Sequence, residues 1–413
     1  MQPLASFASS RPRFTALPPL ALYVHIPWCL RKCPYCDFNS HEARDGATAL
    51  PEREYVDALL EDLELALPQI WGRRIVSVFI GGGTPSLFSA SSIDRLLAGI
   101  RARVTVAPDA EVTLEANPGT FERDKFFDLR AAGINRLSLG IQSFNPAHLT
   151  ALGRVHDHHE ARAAAECAVG VFPEVNLDLM FALPRQTIAE AVADVRCAIG
   201  FGAPHLSLYH LTIEANTLFA RYPPPLPDDD LAVDIEDAIV HELDQAGYVH
   251  YETSAHARPG HASRHNMNYW QFGDYLGIGA GAHSKLSFAE RIVRQVRYRQ
   301  PRQYLDQVAR REPLMAETQV TRDDVPFEFM LNALRLTDGV PTTLFAERTG
   351  FPVAIMQREL AQAVERGLID PDPTRIAPTP IGRRFLNDAQ AIFLRDESAA
   401  RNAPTTHKVT VST

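Results

Sequence analysis

Cysteine is scarce in this chain, with five residues in 413. That excludes a disulfide framework and fits a reducing compartment. Positive charge is not in excess either. Lys and Arg number 41 against 50 Asp and Glu, a net charge of −9, which excludes a general affinity for nucleic acid or anionic lipid. No apolar run comes near the roughly 20 residues a membrane span requires. Met1–Pro19 lacks the apolar core of ~7–15 residues that a secretory signal carries. The expectation is a cytoplasmic protein with no nucleic-acid partner. An apolar fraction of 46% supports a large core, and the length predicts two or three domains.

Three of the five cysteines nevertheless stand together, in Cys29-Leu-Arg-Lys-Cys33-Pro-Tyr-Cys36. Thiolates are soft ligands for iron–sulfur clusters, copper(I) and zinc. A cubane [4Fe–4S] cluster normally takes four thiolates, so three without a fourth nearby leave one iron open to a ligand that is not protein. A structural zinc site and plain reduced thiols are the alternatives. Zinc usually brings a second Cys or His pair at regular spacing, and none follows closely. Cys167 and Cys197 lie on apolar helical faces and read as core thiols.

Six apolar runs alternate with helical stretches between residues 20 and 211. Leu20–Ile26, Ile75–Ile80, Glu111–Glu115, Arg136–Gly140, Glu174–Leu179 and His205–Leu211 read as strands. Several are apolar on both faces, as buried parallel strands are. This alternation predicts an α/β fold, an incomplete (β/α)6 barrel. Pro223–Pro227 marks a change, and from about Thr321 the chain is mostly helical, in a winged-helix-like order. The expected divisions are a flexible tail over 1–19, a partial barrel over 20–215, an extension over 216–320, a helical domain over 321–395 and a disordered tail over 396–413.

Polar residues and glycines gather at the predicted C-terminal strand ends, the face that carries the site in barrels. Gly81-Gly82-Gly83-Thr84-Pro85 lacks both common phosphate-loop patterns, so it reads as a backbone rail for an amino or carboxylate group, or as a tight turn. Glu115 and Gln142 close their strands. Asp178 stands where a strand would carry a hydrophobe and needs a partner; Arg154 is a candidate, or could instead pair with a ligand carboxylate. Later, His265-Asn266-Met-Asn-Tyr269-Trp270 precedes Gly277-Ile-Gly279-Ala-Gly281, which implies close backbone approach. That region reads as a haem or metal site, or as a loop packed over the barrel mouth.

Taken together, the cysteine motif, Gly81–Pro85, Leu114–Pro118, Leu137–Phe144, Leu152-Gly-Arg154 and Asn176-Leu-Asp178 resemble the radical S-adenosylmethionine superfamily. More narrowly they resemble the oxygen-independent coproporphyrinogen III oxidase-like family, over about residues 20–395. The resemblance implies a [4Fe–4S] cluster on Cys29, Cys33 and Cys36, its open iron chelated by S-adenosylmethionine. It places Tyr23, Tyr35, Gly82, Gly83, Thr84, Glu115, Gln142, Arg154 and Asp178 around that cofactor. It also implies an electron donor for the cluster. In the oxidase branch a 5′-deoxyadenosyl radical initiates decarboxylation of two propionates, and a further cysteine follows two residues after the third. Here that residue is Phe38. With the His-Asn-x-x-Tyr-Trp motif, this resembles the haem-chaperone branch, which delivers haem to haem-requiring respiratory proteins. Oxidase activity is then not expected, peripheral contact with membrane-bound acceptors is, and His265, Asn266, Tyr269 and Trp270 become the haem candidates. Two departures stand out: Arg185 where glycine is expected, which would stiffen its loop, and Ser263 where a cysteine is common.

Overall fold

The computed structural model describes residues 11–394 apart from 44–45 and 121–122. Its centre is one twelve-stranded sheet. The six expected strands are present as β1 (Leu20–Ile26), β2 (Ile75–Gly82), β3 (Val106–Ala116), β4 (Arg136–Gln142), β5 (Glu174–Phe181) and β6 (His205–His210). Each pairs in parallel with the next. Helices α1 (Glu52–Ala66), α2 (Ala90–Arg103), α3 (Arg123–Ala132), α4 (His158–Val171) and α5 (Ile188–Gly200) provide the crossovers. Leu22, Val24 and Ile26 of β1 are wholly buried; each contributes about 1.5–3 kcal/mol over exposure. Capping fixes the helix starts: Asp157 and Thr187 each form a reciprocal capping box with a glutamate three residues on.

The sheet stays open, extended at both ends. β7 (Val249–Glu252) and β8 (Ala255–Ala257) form a hairpin beyond β6. Two tight residues, Thr253 and Ser254, reverse the chain there. On the other side β9 (Asp274–Ile278) pairs in parallel with β1. It leads into an antiparallel meander of β10 (His283–Phe288), β11 (Arg291–Arg297) and β12 (Leu314–Val320). Between the hairpin and the meander, α6 (Asp229–Gln245) having preceded both, lies the short helix α7 (Arg264–Trp270). The expected loop at His265–Trp270 is therefore helical. Ser263 caps it, its Oγ accepting from Asn266 N.

A buried ion pair ties the meander to the barrel. Asp62 interrupts the apolar face of α1, fully buried, and meets Arg297 at 3.3 Å. Tyr304 Oη donates to the same carboxylate at 2.9 Å and Gly279 N at 3.2 Å. A second apolar core gathers under helices Val325–Ala333, Thr343–Thr349 and Gln357–Glu365, beside the antiparallel pair Val340–Pro341 and Arg375–Ile376.

Residues 11–19 correct the expectation of a flexible tail. Arg13 N donates to Gly350 O at 2.8 Å, Arg73 donates to Pro18 O, and Arg11 pairs with Glu290. Backbone donors and acceptors so engaged hold the segment against the body. The remaining tail expectations, over 1–10 and 396–413, lie outside the described residues.

Candidate functional site

A cavity of about 620 Å³ opens on the inner face of the sheet. Cys29, Cys33 and Cys36 line it at the C-terminal strand ends, with Gly82, Gly83, Thr84, Glu115, Gln142 and Arg154. Tyr35 and Asp178 line it as well. Of the expected cofactor residues only Tyr23 lies elsewhere, in an adjoining chamber that shares Phe38, Gly82 and Glu115 with the main one.

The glycine turn is built by close approach of the protein to itself. A Cβ on Gly83 would stand 2.5 Å from Trp28 O, and one on Gly82 would meet the His25 ring. The donors of this rail are already engaged: Gly82 N to Glu115 Oε2 at 3.0 Å, Gly83 N to Ile26 O at 2.8 Å, Thr84 N to Trp28 O at 2.7 Å. With its N–H groups taken, the turn offers a ligand carbonyl oxygen, the partner of an ammonium rather than of a carboxylate.

The thiols are met by polar partners. Arg154 Nη1 lies 3.3 Å from Cys33 Sγ, and Thr84 Oγ1 lies 3.5 Å from Cys29 Sγ. Arg154 also donates to Asn117 Oδ1 and Gly140 O, while its buried Nε has no partner. Burial pushes the Cys29 and Cys36 thiols up, so the thiolate that an iron ligand must be requires the metal's own charge. Three thiols round one cavity, a guanidinium beside one of them, fit an anionic iron–thiolate cluster.

Arg154 is thus not the partner of Asp178, which was one of the two roles open to it from sequence. Asp178 takes Ser138 Oγ at 3.0 Å and Asn176 Nδ2 at 2.8 Å. It sits in mid-strand, and both partners lie one step toward the strand start: Asn176 two residues earlier on β5, and Ser138 opposite Asn176 on β4. Burial raises its pKa, and these hydrogen bonds oppose the rise. Glu115 has fewer donors. Burial, with Asp178 nearby, raises it to about 7 against the pull of Gly82 N–H. Gln142 adopts a left-handed backbone, φ 68°, a strained conformation of the kind that gathers at functional sites. Arg185 does too, at φ 58°. This accounts for the glycine expected there, since only glycine takes that region freely.

The floor of the cavity was not legible in the sequence. Arg136, Ser138, Asn176, His205 and Ser207 line it, and Ser263 and Asn266 of α7's first turn close it. The His-Asn-x-x-Tyr-Trp motif therefore lies toward the strand starts, not over the mouth. Its four residues do not converge. Asn266 reaches the cavity. His265 is 1% exposed, stacks on Phe79 and hydrogen-bonds Ser77 Oγ at 2.9 Å. Burial drops its pKa to about 3, keeping the ring neutral. Tyr269 packs against His265 and Tyr275, and Trp270 lies under the Arg335 guanidinium. The glycines that follow serve close packing: a Cβ on Gly279 would meet His25 O at 2.4 Å, and one on Gly281 the Asn39 amide at 2.3 Å.

A partial parallel barrel with three clustered thiols at its strand ends defines a radical S-adenosylmethionine protein. The model of that superfamily matches residues 23–198, and that of the HemN C-terminal domain residues 320–385. Among known proteins the chain is 46% identical, over 92% of its length and 99% of the relative's, to heme chaperone HemW of Escherichia coli. It is likewise 46% identical to heme chaperone HemW of Haemophilus influenzae, again over 92% of the chain and 99% of the relative. The chain belongs to the HemW family. Among solved structures, coproporphyrinogen III oxidase (HemN) from Escherichia coli, a radical SAM enzyme, superposes with a TM-score of 0.77 at 26% identity, covering 91% of this chain and 90% of that one. No helix among the described residues is long and apolar enough to cross a membrane.

Proposed function

We propose that this protein is a haem chaperone. It holds a [4Fe–4S] cluster on Cys29, Cys33 and Cys36, binds S-adenosylmethionine in the strand-end cavity, and delivers haem to haem-requiring respiratory proteins. Such a cluster, when bound with S-adenosylmethionine and reduced by an electron donor, supplies one-electron chemistry. The protein's own residues orient and shield. The carbonyls of the Gly82–Thr84 turn receive the ligand's ammonium, ionised Glu115 favours its positive charge, and Arg154 neutralises charge at the Cys33 sulfur. Gln142, Asp178 and Tyr35 shape the wall, and Tyr23 packs behind Glu115 from the adjoining chamber. The acceptors include membrane-bound complexes reached by peripheral contact, and the site of action is the cytoplasm.

The observation that carries the choice of branch is Phe38. It is 67% exposed at the rim of both chambers, where the oxidase pattern has a fourth cysteine. An exposed aromatic there adds an apolar face for a flat cargo and no thiolate. The alternative reading, an oxygen-independent coproporphyrinogen III oxidase, is favoured by the full-length likeness to the HemN structure. Delivery separates them. Haem-loaded protein, reduced and given S-adenosylmethionine, is mixed with a haem-free respiratory acceptor. The chaperone reading expects the acceptor's own haem spectrum to appear; a loaded protein that never yields its haem to any such acceptor refutes delivery.

A further inference from the structure

The adjoining chamber measures about 450 Å³ and lies between the cysteine loop and the meander, within the range of roughly 300–1,000 Å³ typical of ligand sites. Its inner wall is aromatic, formed by Tyr23, Tyr269 and Tyr275. Its rim carries Phe38, His283 and Arg299, all exposed. The architecture is fixed from both sides. Asn39, next to Phe38, donates from Nδ2 to Ala280 O at 2.9 Å and to Arg299 O at 3.0 Å. Gly281 leaves room for that amide, since any Cβ there would collide with it. The loop bearing Phe38 is thereby clamped to the turn that enters β10 at His283 and to the residue carrying the Arg299 guanidinium.

An exposed arginine and an exposed histidine alone would mean little. Here both face one aromatic chamber, and no hydrogen bond from a described residue engages either side-chain head. Haem has three recognisable parts: a flat apolar ring, an iron that takes an imidazole nitrogen, and carboxylates that pair with a guanidinium. The chamber presents a partner for each. The histidine of the His-Asn-x-x-Tyr-Trp motif is enclosed in the core, whereas the tyrosine of that motif forms part of this wall.

We propose that this chamber is the haem seat: His283 ligates the iron, Phe38 covers a porphyrin face, and Arg299 receives a propionate. The assignment rests on the haem-chaperone reading and gives it a location outside the S-adenosylmethionine cavity. Its position beside Glu115 and Gly82, which line both chambers, lets the state of one be felt in the other.

The test titrates the full-length, anaerobically reconstituted protein with ferric haem, and separately with iron-free protoporphyrin IX, following the Soret band. The His283→Ala variant is expected to shift the haem Soret maximum and weaken haem binding roughly tenfold or more, while protoporphyrin IX binding holds. The Phe38→Ala variant is expected to weaken both. Wild-type spectrum and affinity for haem in His283→Ala overturn the seat and leave the chaperone reading standing. Equal loss of haem and protoporphyrin IX in that variant overturns the ligand role of His283. No haem binding by the wild type overturns the chaperone reading itself.

Discussion

Glu111 and Glu115 stand four residues apart on β3, on the same face of the strand, and their surroundings are opposite. Glu111, 7% exposed, accepts from Ser263 Oγ at 3.3 Å, Arg264 N at 3.0 Å and His265 N at 2.9 Å. It is the anion at the N-terminus of α7, where the helix leaves backbone donors unpaired. Glu115 has one backbone donor, a carboxylate neighbour and two chambers to look into. One acid is fully engaged in holding the barrel floor; the other is under-provided, and a cationic ligand completes it. The two ends of the barrel differ in the same way. At the strand ends Glu115 and the three thiols line an open cavity, whereas at the floor Glu111 is met by three donors.

The largest expected effect that sharpens this contrast is at the thiols. Cys33→Ala should abolish assembly of a four-iron cluster, read as loss of bound iron and of visible absorption after anaerobic reconstitution, while far-ultraviolet circular dichroism stays unchanged. Full iron retention would break the strand-end half of the comparison. Next comes Glu111→Ala, which strips the α7 N-terminus of its anion. Hydrogen bonds to a charged group contribute about 1.5–3 kcal/mol each, but they share one carboxylate, so a total loss of roughly 3 kcal/mol is expected, measured by thermal or chemical unfolding. Less than about 0.5 kcal/mol, the usual reach of a surface substitution, would deny Glu111 its structural role.

A smaller effect tests Glu115 through pH. Its pKa is raised from 4.5 to about 7, so folding takes up a proton between those values and ligand-free stability falls as pH rises through that window. A cationic ligand selects the ionised form. S-adenosylmethionine affinity should therefore fall as pH drops below about 7, by at most tenfold per pH unit, and the slope should vanish in Glu115→Gln. An unchanged slope in that variant would remove Glu115 from the binding equilibrium. The smallest effect belongs to Arg185→Gly. Relief of the left-handed backbone offsets the greater chain entropy of glycine, so the net change should stay within about 1 kcal/mol. A large loss would show that the Arg185 side chain itself is needed.

Much of the working end was legible in the sequence because chemistry and sheet geometry agree there. Strands β1 to β6 are runs of buried Leu, Ile and Val, and the reactive residue types cluster at or near their ends. Harder to see was anything depending on which residues meet across the fold. Glu111 looked like an ordinary strand residue, because its partners lie more than 150 residues away. Asp178 called for a partner in isolation, yet Ser138 on β4 and Asn176, two residues earlier on β5 itself, supply a hydroxyl and an amide. Helix α7 was missed because it has seven residues and its polar side turns inward to the barrel. The last strand, β12, is exposed along most of its length and has no two-sided apolar run to betray it.

The central claim is that this barrel carries haem as cargo rather than converting a porphyrinogen. One reconstituted, anaerobic sample tests it: haem binding and coproporphyrinogen III turnover measured side by side, with reductant and S-adenosylmethionine present. The account predicts saturable haem binding and no protoporphyrinogen IX. Catalytic formation of protoporphyrinogen IX would contradict it.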